Sequence, residues 1–242
     1  MLSTLLSPQH YGPRRRRASG VIPIALLALG LGILLAGCGN DSDQSSPAFS
    51  SPRGIALDSA NNRTLVVDSI PPTQATVVAV NSSTGDRTIL SDNATGVGPN
   101  FMFPRGIALD SANNRALVVD SIPPLLTAVV AVDFSTGERI ILSNNATGVG
   151  PNFSSPRGIA LDSANNRALV VDSSLAAVVA VDLSTGDRTI LSDSVTGTGP
   201  NFLFPEGIAL DSANNRILVL DSSLAAVIAV EPISGDRIIH AQ

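Results

Sequence analysis

The 242-residue sequence predicts an all-β fold made of repeated antiparallel sheets. Three observations carry that expectation. A string that reads PRGIALDSANNR at Pro52, Pro104 and Pro156 returns as PEGIALDSANNR at Pro205, at spacings of 52, 52 and 49 residues. Each copy contains short runs of Val, Ile and Leu bounded by turn residues, the pattern of strands. After residue 51, no stretch reaches helical length with apolar residues at a 3.6-residue period.

The third repeat shows the elements in order. The strand-like runs are GIALD (158–162), RALVVD (167–172), AAVVAVD (176–182) and RTILS (188–192). Ser163-Ala164-Asn165-Asn166 separates the first two, and Leu183-Ser184-Thr185-Gly186-Asp187 separates the last two. Asn, Asp and Gly tolerate the positive φ that tight connections need. A longer connection, 193–205, leads to the next copy. LVVD and VVAV are apolar at successive positions, so these strands are expected to be covered on both faces. Four-stranded antiparallel sheets sandwiched between like neighbours are the blades of a β-propeller. The predicted blades span 52–103, 104–155, 156–204 and 205–242. The first strand of each is expected nearest the axis.

The P-x-G-I-A-L-D start, the LVVD second strand and the AVVAVD third strand resemble NHL-type propeller repeats. They are also similar to the wider six-bladed class that includes TolB-like, gluconolactonase-like and strictosidine-synthase-like proteins. The likeness covers 52–242. Six blades are usual in that class and four repeats are present here. This implies a small closed ring, an open arc completed by association, or part of a longer propeller. The fold hosts many functions.

The N-terminal region carries a different signal. Arg14 to Arg17 precede a 15-residue apolar run, Val21 to Leu35, shorter than the ~20 residues of a membrane span. The pattern fits a secretory signal. It ends in Leu35-Ala36-Gly37-Cys38, which resembles the lipobox of bacterial lipoproteins. That resemblance implies removal of residues 1–37 and diacylation of Cys38, the protein's one cysteine. Gly39 after the cysteine implies an outer-membrane rather than an inner-membrane destination. Residues 38–51 then read as a lipidated flexible tether.

Composition excludes some classes of partner. All 15 basic residues are arginine. Beyond the leader, 11 arginines face 20 acidic residues, a net charge near −9. An acidic body with no basic patch argues against nucleic acid. His240 is the only histidine past the leader, so zinc sites and a Ser–His–Asp triad lack their parts. The G-x-G stretches at 96–98, 148–150 and 197–199 have no following helix and read as turns.

Residues shared by all four copies are expected to hold each blade together. They include Asp58, Asp110, Asp162 and Asp211, then Asn62, Asn114, Asn166 and Asn215, then Arg63, Arg115, Arg167 and Arg216. A ring of these aspartates around an axis is the one place a Ca²⁺ ion would suit. No other cofactor is expected. Phe101, Phe103, Phe153, Phe202 and Phe204 are expected to plug the gaps between blades. Positions that vary are better candidates for recognition. Arg53, Arg105 and Arg157 are matched by Glu206 in the fourth copy, a rim suited to an anionic ligand. The Pro-bearing loops at Ile70-Pro71-Pro72 and Ile122-Pro123-Pro124 form a second candidate surface. The expected function is a lipid-anchored envelope protein whose propeller binds or scaffolds a protein or small ligand. The alternative is a metal-dependent hydrolase of the lactonase or arylesterase type, although its asymmetric ligand set has no match here.

Overall fold

The computed structural model describes residues 48–70, 74–121 and 127–242. Residues 1–37, Cys38, most of the tether, and the Pro71-Pro72 and Pro123-Pro124 loops lie outside them. The described chain forms four antiparallel four-stranded sheets, each with its strands in sequence order. The first blade holds β1 (Pro52–Asp58), β2 (Arg63–Ile70), β3 (Gln74–Asn81) and β4 (Arg87–Ser91). The second holds β5 (Pro104–Asp110), β6 (Arg115–Asp120), β7 (Ala128–Asp133) and β8 (Arg139–Ser143). The third holds β9 (Pro156–Asp162), β10 (Arg167–Asp172), β11 (Ala177–Asp182) and β12 (Arg188–Ser192). The fourth holds β13 (Pro205–Asp211), β14 (Arg216–Asp221), β15 (Ala226–Val230) and β16 (Arg237–Ala241). The molecule is a four-blade β-propeller. Among the described residues the only helical pieces are four three-residue 3-10 turns, each joining the first two strands of a blade.

Each of those turns ends in an asparagine held left-handed. Asn62, Asn114, Asn166 and Asn215 have φ between 49° and 51°, a region Asn tolerates better than most residues. The preceding asparagine is the one that binds the strand-ending aspartate: Asn61 Nδ2 donates to both carboxylate oxygens of Asp58 at 2.9 and 3.0 Å. Asn62 instead donates to Ser83 Oγ across the next turn, at 2.8 Å. An Arg–Asp pair recurs in every blade. Arg63, Arg115, Arg167 and Arg216 each place Nε 2.7–2.8 Å from the aspartate of their own blade.

The core lies between blades. Leu65, Val67 and Val77 of the first blade meet Val118, Val130 and Val132 of the second, with Phe101 among them. Phe153 and Phe202 occupy the matching places in the next two junctions. Phe103 does not plug a gap; it is 42% exposed. Leu65–Val67 of β2, Ala116–Val119 of β6 and Ala168–Val171 of β10 are buried, as successive apolar positions require. Each fully buried Val or Leu contributes about 1.5–3 kcal/mol.

An arginine clasps each junction. Arg139 Nη1 donates to Ser91 Oγ at 2.7 Å, and its Nε donates to the Pro99 carbonyl at 2.7 Å. Arg188 repeats this with Ser143 and Pro151, and Arg237 with Ser192 and Pro200. Each guanidinium also lies over the junction phenylalanine, 5.6–5.7 Å from the ring centre.

The inner strands neighbour one another in the order β1, β5, β9, β13. β1 and β13 do not pack together as the others do. The four blades therefore form an open arc.

Candidate functional site

The first strands bring their opening residues to one end of the arc. In every blade the first strand slips register against the second just after its opening proline; in the first blade the step falls between Pro52 and Gly54. Arg53, Arg105, Arg157 and Glu206 all sit in that step. A bulge re-aims the side chain it carries. Here it turns four successive rim residues toward one groove of about 360 Å³. The Gly and Ile that follow each rim residue complete its wall.

The glycine is what lets neighbouring blades approach. A Cβ on Gly106 would sit 2.7 Å from the Arg157 carbonyl oxygen, well inside contact distance. The inner strands touch backbone to backbone, so the rim charges are held close.

The rim is unevenly neutralised. Arg157 has three partners. Its Nη1 is 3.7 Å from Glu206 Oε1, its Nε donates to Ser173 Oγ at 3.1 Å, and its guanidinium lies 4.8 Å over the Phe204 ring. Arg53 and Arg105 make no hydrogen bond or ion pair among the described residues. Burial holds the Arg105 guanidinium below its usual pKa; the positive charges of Arg157 and Arg53 push the same way, and Glu206 opposes them. An arginine so shifted still carries its charge at neutral pH. The groove thus holds three cations against one carboxylate. It has planar donors with free hydrogen-bonding capacity, the arrangement that receives carboxylate or phosphate groups.

Among the described residues the groove wall carries no Ser, Cys or His. Among the described residues no three His, Cys, Asp or Glu side chains gather where they would hold a metal ion. The aspartates Asp58, Asp110, Asp162 and Asp211 are each engaged by the Asn and Arg of their own blade. His240 lies exposed on β16, its Nδ1 3.2 Å from Arg216 Nη1.

Two structural groups escaped the sequence reading. One is the clasp arginines described above. The other is the aspartate at or near the end of the second strand. Asp68, Asp120, Asp172 and Asp221 each accept two backbone N–H groups from the connection entering their blade. For Asp172 the donors are Ser154 and Ser155, at 2.7 and 2.9 Å. Repetition at fixed offsets was the available signal for both groups.

No protein-family profile matches the chain, and no curated protein matches it. Solved structures do. A chain of a nidogen–laminin complex superposes with a TM-score of 0.62 at 17% identity, covering 79% of this chain and 65% of that one. A structural-genomics protein of unknown function from Bacteroides thetaiotaomicron superposes with a TM-score of 0.58 at 17% identity, covering 83% and 46%. The chain therefore spans less than two thirds of the length of each. At this identity the likeness establishes the β-propeller fold.

Proposed function

We propose that this chain is a lipid-anchored protein of the bacterial envelope, and that its propeller is a binding module for an anionic group. The anchoring part rests on the Arg14–Arg17, Val21–Leu35 and Leu35-Ala36-Gly37-Cys38 pattern of the sequence. Cys38 is the attachment point, and the outer membrane is the destination. The binding part rests on one observation: Arg53 and Arg105 face the groove uncommitted, beside the Arg157–Glu206 pair. One neighbour in fold comes from a complex between two proteins, nidogen and laminin, which agrees with a recognition role.

Two measurements test this. Calorimetric titration of the full chain with citrate and with inorganic phosphate reads the groove. Binding should weaken with added salt as exposed charges are screened, and Arg105→Gln should reduce affinity about tenfold or more. Binding that is absent, or indifferent to Arg105→Gln, overturns the anion reading. Incorporation of labelled palmitate, lost in Cys38→Ala, tests the anchor separately.

A further inference from the structure

The three junctions inside the chain follow one plan, and the two ends of the arc carry its unmatched halves. On the first blade, Arg87 occupies the clasp position, with its guanidinium 5.3 Å over the Phe49 ring. Arg139, Arg188 and Arg237 each give Nε to a proline carbonyl of the preceding connection. The proline that matches these in the connection before the first blade, Pro47, lies outside the described residues. On the same face Ile55 and Leu57 are 72% and 64% exposed, whereas Ile107 and Ile159, the counterparts of Ile55, are 5% and 6%. Val66 and Val78, farther from the axis, are buried, so the open part of this face is its axial half.

The fourth blade presents the other half. Leu220 is 50% exposed, where Val67, Val119 and Val171 are fully buried. A Cβ on Gly207 would meet only Leu220 of its own blade, whereas Gly54, Gly106 and Gly158 lie against the backbone of the next one. Inside the chain, Val171 packs in one cluster with Ile208. Leu220 and Ile55 are the same two positions, left apart at the two ends. Charge agrees with shape. Glu206, the one acidic rim residue, is on the last blade, and Arg53 is on the first. The junction between the third and fourth blades already pairs an arginine with a glutamate at these rim positions.

We infer that a second copy of this chain seats its first blade on the fourth blade of the first copy. Leu220 is then covered by Ile55 and Leu57 of the second copy, and Glu206 pairs with Arg53 of the second copy. The contact is heterologous, so it closes into a ring or continues as a chain of copies according to the turn between them. It is weaker than the internal junctions. Ala241 stands where Ser91, Ser143 and Ser192 supply the hydroxyl for the clasp, so Arg87 of the second copy finds no Oγ there. Association is therefore reversible and follows concentration.

Sedimentation velocity of the full chain in detergent, over a wide range of concentration, tests this. The expected result is a mass that rises with concentration to a dimer or beyond. Leu220→Asp should leave a monomer whose melting temperature is unchanged, since the side chain is already half-exposed. Glu206→Arg should weaken association, and adding Arg53→Glu should restore it. Ala241→Ser should tighten it, by roughly fivefold for one hydrogen bond gained. A monomer at every concentration overturns the proposal. So does association that is indifferent to Leu220→Asp and to the charge exchange. Anion affinity, read through Arg105→Gln, can fail or hold independently of either result.

Discussion

Arg188 of the third blade reaches across the junction and donates to Ser143 Oγ of the second at 2.7 Å. Ser143 in turn donates to the Gly186 carbonyl of the third blade at 2.6 Å. The hydroxyl is fully buried and links both blades, while Arg188 also satisfies the Asn144 and Pro151 carbonyls. The same construction recurs at Ser91–Arg139 and Ser192–Arg237. A buried guanidinium is tolerable only when its N–H groups are met, and here carbonyls and one hydroxyl meet them without a carboxylate.

Removing that hydroxyl should therefore cost more than an ordinary surface change. Ser143→Ala takes one acceptor from a charged donor and leaves the Gly186 carbonyl without its donor. The expected loss is about 1–3 kcal/mol, measured as a lower urea midpoint. An unchanged midpoint would mean that the clasp contributes nothing to holding the blades together.

The strand pattern was legible in the sequence because apolar runs and turn residues alternate without ambiguity. RALVVD and RTILS are strands with the bounds read from the residues. The rim was legible too, because Arg53, Arg105, Arg157 and Glu206 vary at one position of an otherwise constant string. The division of labour within the constant string was not. Asn61 and Asn62 are neighbours of one type, and only backbone geometry decides which one faces Asp58 and which adopts positive φ. The clasp was hidden for a different reason. Arg188 and Ser143 are 45 residues apart, and nothing local links a strand-opening arginine to a serine in the preceding repeat.

A strained turn offers a stabilising change. Ala176 has φ of 49°, and Ala225 in the fourth blade has 50°. Both lie in the shortened connection between the second and third strands. Asp172 Oδ1 holds that connection by accepting from the backbone N–H of Ser174 and Leu175. A left-handed alanine costs roughly 1–2 kcal/mol, which glycine avoids. Part of that gain is offset by the extra freedom glycine has in the unfolded chain. Ala176→Gly should raise stability by about 0.5–1 kcal/mol and shift the melting temperature up by a few degrees. A fall would show that the turn carries no strain.

Acid should unfold the protein through its turn carboxylates. Backbone N–H groups of Thr136 and Ser135 hold the Asp133 carboxyl below its usual pKa, and those of Thr185 and Ser184 do the same for Asp182. At Asp211 the Arg216 hydrogen bond leads, followed by Asn214. At Asp58 burial pulls upward, but Arg63 and Asn61 outweigh it and the net shift is downward. Each of these groups binds protons more weakly in the fold than in the unfolded chain. Its contribution is present above the unfolded value near 3.9 and is lost as pH falls through the folded value. Asp120 works in the opposite sense: burial outweighs its backbone hydrogen bonds and raises its pKa, so protonation relieves a cost there. With several groups lowered and one raised, urea midpoints should be level above roughly pH 5 and decline below roughly pH 4. Asp58→Asn should flatten part of that decline. A midpoint constant down to roughly pH 3 would contradict the assignment.

The contact that assembles the rim can be broken without touching a charge. Gly106 lies where a Cβ would sit 2.7 Å from the Arg157 carbonyl and 3.1 Å from the Ile159 backbone nitrogen. Neither is the end of a flexible side chain, so Gly106→Ala has to push the second and third blades apart at their axial edge. Overpacking of this kind typically costs about 1–3 kcal/mol. The displacement also separates Arg105 from Arg157, the two rim cations that flank the groove's middle. Anion affinity should fall together with stability, although every charged group is still present. Gly207→Ala is the matched control. Its nearest neighbour outside the adjoining residues is the Leu220 side chain of its own blade, 3.4 Å away. That substitution should leave the melting temperature close to wild type. If the two variants behave alike, the rim is not positioned by blade-to-blade contact at these glycines.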